Sequence, residues 1–232
     1  MLTILVILVV SGALLLGAAW GIYGDLPKRL EGFLVALAGG ALIISAVLEL
    51  IEPATKQTSI WAAFALVLAG AGVFTVLDYL VKEKWGSTGG GGLLVAVTLD
   101  GVPENLALGV ALIGSGPLQV AALSGAIFLS NLPEAAGGAK EMVEAGWSNG
   151  KVFALWGATA LLLSAAALAG NLFLAGVSES VLALIRCFAG GAVVASLATE
   201  VFPKAFKDDR YLAGIAATIG LILALYLNQL GG

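Results

Sequence analysis

The sequence predicts an all-α membrane protein of eight transmembrane helices, arranged as an inverted 3+2+3 repeat with both termini outside. Three observations carry this reading. Of 232 residues, 60% are hydrophobic and 11% charged, with a mean hydropathy of +1.04, against about 45–50% apolar and about 25% charged in a soluble domain. Eight apolar stretches can be marked, and because a crossing takes about 20 residues, eight of them use about 160 and leave no room for a separate soluble domain. Finally, the basic residues fall almost entirely on alternate loops.

The first stretch, 2–23, has no basic n-region, and its first positive charges, Lys28 and Arg29, follow it, so it reads as a retained helix entering from outside. Stretches 32–51 and 60–81 complete a first three-helix repeat, 1–81. A Gly-rich link, Lys82 to Gly92, leads to a central pair at 93–113 and 117–140. Stretches 152–175, 180–202 and 211–229 form the second repeat, 152–229, and the whole of 1–232 is one transport domain. Lys28, Arg29, Lys82, Lys84, Lys140, Lys151, Lys204, Lys207 and Arg210 share one side, only Lys56 lies on the other, and Arg186 falls inside the seventh stretch. The positive-inside rule makes the first side the inner one.

Composition also excludes chemistry. There is no histidine, which removes the commonest transition-metal ligand and general base, and the one cysteine, Cys187, sits in an apolar run. Any ion site must rest on oxygen donors. The net charge of −4 includes no basic patch for nucleic acid.

The second and seventh stretches share a pattern, AGGAxxxSxxxE, at an offset of 151 residues: Ala38-Gly39-Gly40-Ala41 matches Ala189-Gly190-Gly191-Ala192, Ser45 matches Ser196, and Glu49 matches Glu200. Five helices separate the two copies, so they cross the bilayer in opposite directions, as in many alternating-access transporters. The plainer alternative is generic small-residue packing with coincident polar positions. The central pair repeats itself instead, with Asp100-Gly101-Val102-Pro103-Glu104-Asn105 echoed by Ser130-Asn131-Leu132-Pro133-Glu134-Ala135. Each proline frees the carbonyl four residues back, Leu99 or Leu129, which needs a partner inside a membrane.

Glu49, Asp78, Asp100, Glu104, Glu134 and Glu200 fall in or near the spans against one buried cation candidate, Arg186. A charged side chain at the bilayer centre costs about 2.5–3.5 kcal/mol on insertion scales, so an acidic excess asks for a positive ligand. Asp100 and Glu104 stand at i and i+4, as do Ser130 and Glu134, with Asn131 alongside and Asn105 next to Glu104. Carboxylate and amide oxygens converging from two helices suit a hard divalent cation. Neutralised acids, or pairing with Arg186, would reduce the same residues to a polar packing network.

Two successive Pro-Glu helices, the second reading xNxPEx in full, flanked by inverted triplets resemble the ZIP (Zrt/Irt-like) metal transporters, whose fourth and fifth helices typically read HNxPEG. The resemblance extends to the end of the seventh helix, Thr199-Glu200-Val201-Phe202-Pro203. It implies Glu104, Asn131 and Glu134 as ligands, with Asp100 standing where the family has its first histidine and Ser130 where it has its second. Gly101, Asn105 and Ala135 depart from the pattern, and the His-rich inside loop common in the family is missing.

The expected function is transport of a divalent metal cation of the zinc, iron or manganese class, with Mg or Ca also open to an all-oxygen site. The metal is substrate, no catalytic cofactor is called for, and Asp100, Glu104, Asn131, Glu134, Ser130 and Asn105 form the metal set, with Glu49 and Glu200 on the pathway. A carrier of another cation, a proton-coupled carrier and a non-transporting scaffold of the same fold are the alternatives. Without histidine, HExxH or GxGD, an intramembrane enzyme is not expected. The expected partners are the lipid bilayer, the metal ion and a second copy in a homodimer, with no nucleic acid, and the expected location is the plasma (inner) membrane of a prokaryote.

Overall fold

A computed structural model of the chain describes residues 2–85, 90–113 and 120–231, with side chains for all of these except 2, 84, 85, 90–97, 99, 100 and 231. Among the described residues there are eight long helices and no strand: α1 Leu2–Tyr23, α2 Lys28–Thr55, α3 Ile60–Trp85, α4 Gly90–Ala111, α5 Ala121–Glu144, α6 Asn149–Leu174, α7 Glu179–Asp208 and α8 Ala213–Gly231. Six of them, α1, α2, α3, α6, α7 and α8, are long and apolar enough to cross a membrane, which is consistent with an integral membrane protein. The other two, α4 and α5, are 22 and 24 residues long and carry the Pro-Glu pairs at Pro103 and Pro133. Over the described residues, each of the eight apolar stretches thus corresponds to one long helix.

The largest differences from the sequence reading are at helix ends. The second helix begins at Lys28 rather than 32 and runs to Thr55, and the seventh continues past 202 to Asp208. Lys140, expected in a loop, lies inside α5. Hydrogen bonding within the backbone carries a helix on after its apolar stretch ends, and long basic side chains keep their charged heads in water. The turn after α5 closes on Gly146, whose φ of 87° needs a glycine, with Trp147 N–H donating to the Met142 carbonyl (3.0 Å) and Gly146 N–H to that of Val143 (2.9 Å). Asp209 Oδ1 accepts from the N–H groups of Tyr211 and Leu212 at 3.2 and 3.3 Å, tying the chain down before α8.

Packing is reciprocal about a pseudo-two-fold. The main partners are α1 with α5 and α6 with α4, then α2 with α8 and α7 with α3. Exchanging the triplets, and α4 with α5, turns each pair into another of the set. Glycines carry the reciprocity to single atoms, as small residues do where membrane helices approach closely. A Cβ on Gly40 would overlap the Ala217 carbonyl and one on Gly191 that of Val67, while Gly220 abuts Leu37 and Gly70 abuts Phe188. Gly39 faces Val201 and Phe202, and Gly190 faces Leu50 and Ile51, so α2 and α7 cross antiparallel.

Helices α2 and α7 share one further irregularity. Each widens into a π turn, Ala46–Ile51 in α2 and Leu197–Val201 in α7, starting at equivalent positions of the repeat. In each, the residue before a proline donates five residues back, Glu52 to Val47 and Phe202 to Leu197. Pro53 and Pro203 lack an N–H and crowd the carbonyls of Glu49 and Thr199, and the wider turn relieves that crowding.

Candidate metal site

The Pro-Glu segments of α4 and α5 bury their polar groups. Glu104 is 4% exposed, Asn105 0%, Ser130 6% and Asn131 1%, while Glu134 is half-buried. Asn105 Nδ2 donates to the Gly101 carbonyl at 2.9 Å, and its Oδ1 has no partner. The Asn131 amide nitrogen is likewise buried without a partner. Helices α4 and α5 pack together, and the charge of Glu134 acts on Glu104.

Glu104 and Glu134 are thus brought together, with the buried amides beside them in sequence. The side chain of Asp100, the fourth expected ligand, lies outside the described residues. Among the described residues no group of three or more His, Cys, Asp and Glu converges closely enough to hold a metal ion by themselves. Two carboxylates with amide and hydroxyl oxygens are what these residues offer, and such donors favour hard cations.

The two pathway residues occupy equivalent π turns in different surroundings. Glu49 Oε1 accepts from the Leu123 N–H at 3.2 Å, near the start of α5, and its Oε2 is buried without a partner. Glu200 is held by Lys82 of α3, which also donates to Asp78 at 2.9 Å. The hydroxyls of Ser45 and Ser196, the third matched position of the repeat, are both buried and unpartnered. Arg186 is 9% exposed with its Nε unpartnered, and among the described residues no carboxylate forms an ion pair with it.

The sequence reading did not include the ion pairs between helices. Glu31 of α2 is buried and pairs with Lys204 of α7 at 3.0 Å, and Lys140 reaches Asp25 at 3.1 Å. Lys204 reads from sequence as one of the inner-side loop charges, and Glu31 is not singled out. No local pattern joins residues that far apart; the available signal was a lysine directly after the helix-widening Pro203. No family model matches this chain, and no curated protein matches it significantly.

Proposed function

We propose that this protein is a carrier of divalent metal cations, built like the ZIP transporters from eight crossings with both ends outside. The metal binds between α4 and α5, and the helix triplets rearrange about it. The observation that carries the reading is the placement of Glu104 and Glu134, the acids of a duplicated Pro-Glu motif, on two helices that pack together, with the charge of Glu134 acting on Glu104. Two carboxylates from a duplicated Pro-Glu motif stand on neighbouring helices in a bundle of long apolar helices, with no basic side chain in an ion pair with either among the described residues. Such a pair is costly unless a cation or protons neutralise it. The two-fold packing supports the transport half of the reading, because related triplets around a central site are the build of alternating-access carriers. Zinc, iron and manganese are the metals to test first, followed by Mg and Ca.

A second reading, a carrier of protons or of a monovalent cation, is favoured by the finding that the described acids reach only a pair. Both are tested by uptake into proteoliposomes loaded with a metal-sensitive dye, one metal at a time, beside a pH-sensitive dye. Divalent uptake by the parent and its loss in Glu104→Ala and Glu134→Ala is the expected result. Proton flux without metal uptake selects the second reading, and no flux of either kind sinks both.

A further inference from the structure

Lys28 and Arg29 open α2, and Lys207 and Arg210 stand at the end of α7 and just beyond it. Gly32 brings the two segments together: a Cβ there would lie 2.8 Å from the Asp208 Cβ, 2.9 Å from the Asp209 nitrogen and 3.0 Å from the Ala205 oxygen. Lys28 and Arg29 precede Gly32 by four and three residues, so they stand one helical turn beyond this contact on the same side of α2. All four basic side chains are exposed. Among the described residues none of the four forms an ion pair, whereas Lys82 is engaged by Asp78 and Glu200, Lys140 by Asp25 and Lys204 by Glu31. Arg210 lies instead over the Tyr211 ring, 5.1 Å from its centroid, and donates to the Tyr211 hydroxyl at 3.2 Å.

Two acids adjoin these cations. Asp209 is buried and spends its Oδ1 on the N–H groups of Tyr211 and Leu212, and Asp208 is half-buried against Gly32. This edge therefore carries an excess of positive charge on a chain whose net charge is −4. It carries apolar surface as well, since Phe206 is 60% exposed and Tyr211 77%. Setting the direction of the crossings needs basic residues on the inner side, but it does not need them gathered at one joint or free of carboxylates. Four free cations from two segments, beside rings suited to the headgroup level, match a phosphate ester that carries an apolar tail. We propose that the joint of α2 with the α7–α8 turn binds an anionic phospholipid of the inner leaflet, its phosphate held by Lys28, Arg29, Lys207 and Arg210 and its acyl chains meeting the exposed rings. A lipid seated there touches both segments and holds the inner end of α2 against that of α7. This site requires that the chain lie in a bilayer and not that it carry a metal.

The test is thermal unfolding of the purified full-length protein in dodecyl maltoside, with dioleoyl phosphatidylglycerol or dioleoyl phosphatidylcholine added in steps. A ligand of the folded form raises the melting temperature, and phosphatidylglycerol should do so at a concentration about tenfold below phosphatidylcholine. Each cation near an anionic headgroup is worth about fivefold in affinity, so Arg210→Gln should need about fivefold more phosphatidylglycerol. Lys28→Gln with Arg29→Gln, and Lys207→Gln with Arg210→Gln, should each need about 25-fold more. Lys151, which stacks 3.9 Å over Trp147, opens α6, a helix packed on α1, α4 and α5, so Lys151→Gln should leave the requirement unchanged. A parent stabilised equally by both lipids overturns the proposal, as does a loss in Lys151→Gln as large as that in Arg210→Gln. Inorganic phosphate that matches phosphatidylglycerol at equal concentration overturns it too, because the edge then binds a free anion. Should one double variant fail to insert, the other decides.

Discussion

At the scale of single residues, the chemistry concentrates in two carboxylates that differ in their neighbours. Glu104 is almost fully buried beside an amide with one free oxygen, and Glu134 shares its surroundings with Lys204, Glu31 and Glu200. A metal binds such acids only after their protons leave, so binding should release protons and weaken as pH falls. Titrations of the parent at several pH values check the sign, and affinity that rises on acidification would contradict carboxylate ligation. Asp100→His adds a nitrogen donor where the ZIP pattern has one, and should raise the preference for zinc over manganese in a competition assay by about tenfold. Glu49 and Glu200 offer a sharper contrast, since one has an unpartnered oxygen and the other is engaged by Lys82. Glu49→Gln should slow uptake, and Lys82→Gln should have at least the effect of Glu200→Gln, because it removes the Asp78 ion pair as well as the Glu200 one.

At the scale of elements, the glycines of α2, α3, α7 and α8 set the helix spacing. Gly40→Ala and Gly191→Ala both push a methyl group into a neighbouring carbonyl, so each should cost about 1–3 kcal/mol, as overpacking does in cores. Thermal melts in detergent check this, and Gly72→Ala, with open space around it, is the control. Much of this level was legible beforehand, because apolar stretches of about 20 residues set where helices form and AGGA at Ala38 and Ala189 marked the close approaches. The π turns were not read, although a proline three or four residues after Glu49 and Glu200 was visible. A proline says that a ladder breaks without saying how it is repaired. Lys204 and Lys82 read as inner-side loop charges and Glu31 was not singled out, because contact with a helix distant in sequence leaves no trace in a residue's own neighbours.

At the scale of the molecule, the basic asymmetry predicts sidedness. In a Cys187→Ala background, cysteines at the exposed loop positions Ser59 and Ser178 should react with an impermeant thiol reagent from one side, and one at Ser148 only from the other. Labelling of all three from one side would remove the crossing pattern. The two-fold packing has a consequence for populations. In the carrier proposed above, two joints assembled from matching parts, α2 on α8 and α7 on α3, would be close in energy, so an interaction present at one and lacking at the other would tip the balance between arrangements open to either side. Lys82 on Glu200 is such an interaction, since the matching Glu49 accepts a backbone N–H instead. An exposed ion pair contributes about 0.2–1 kcal/mol, a few-fold change in the ratio of two states at most. In that carrier a bias this shallow would keep both arrangements populated, and one bound ion would be enough to reverse which of them predominates.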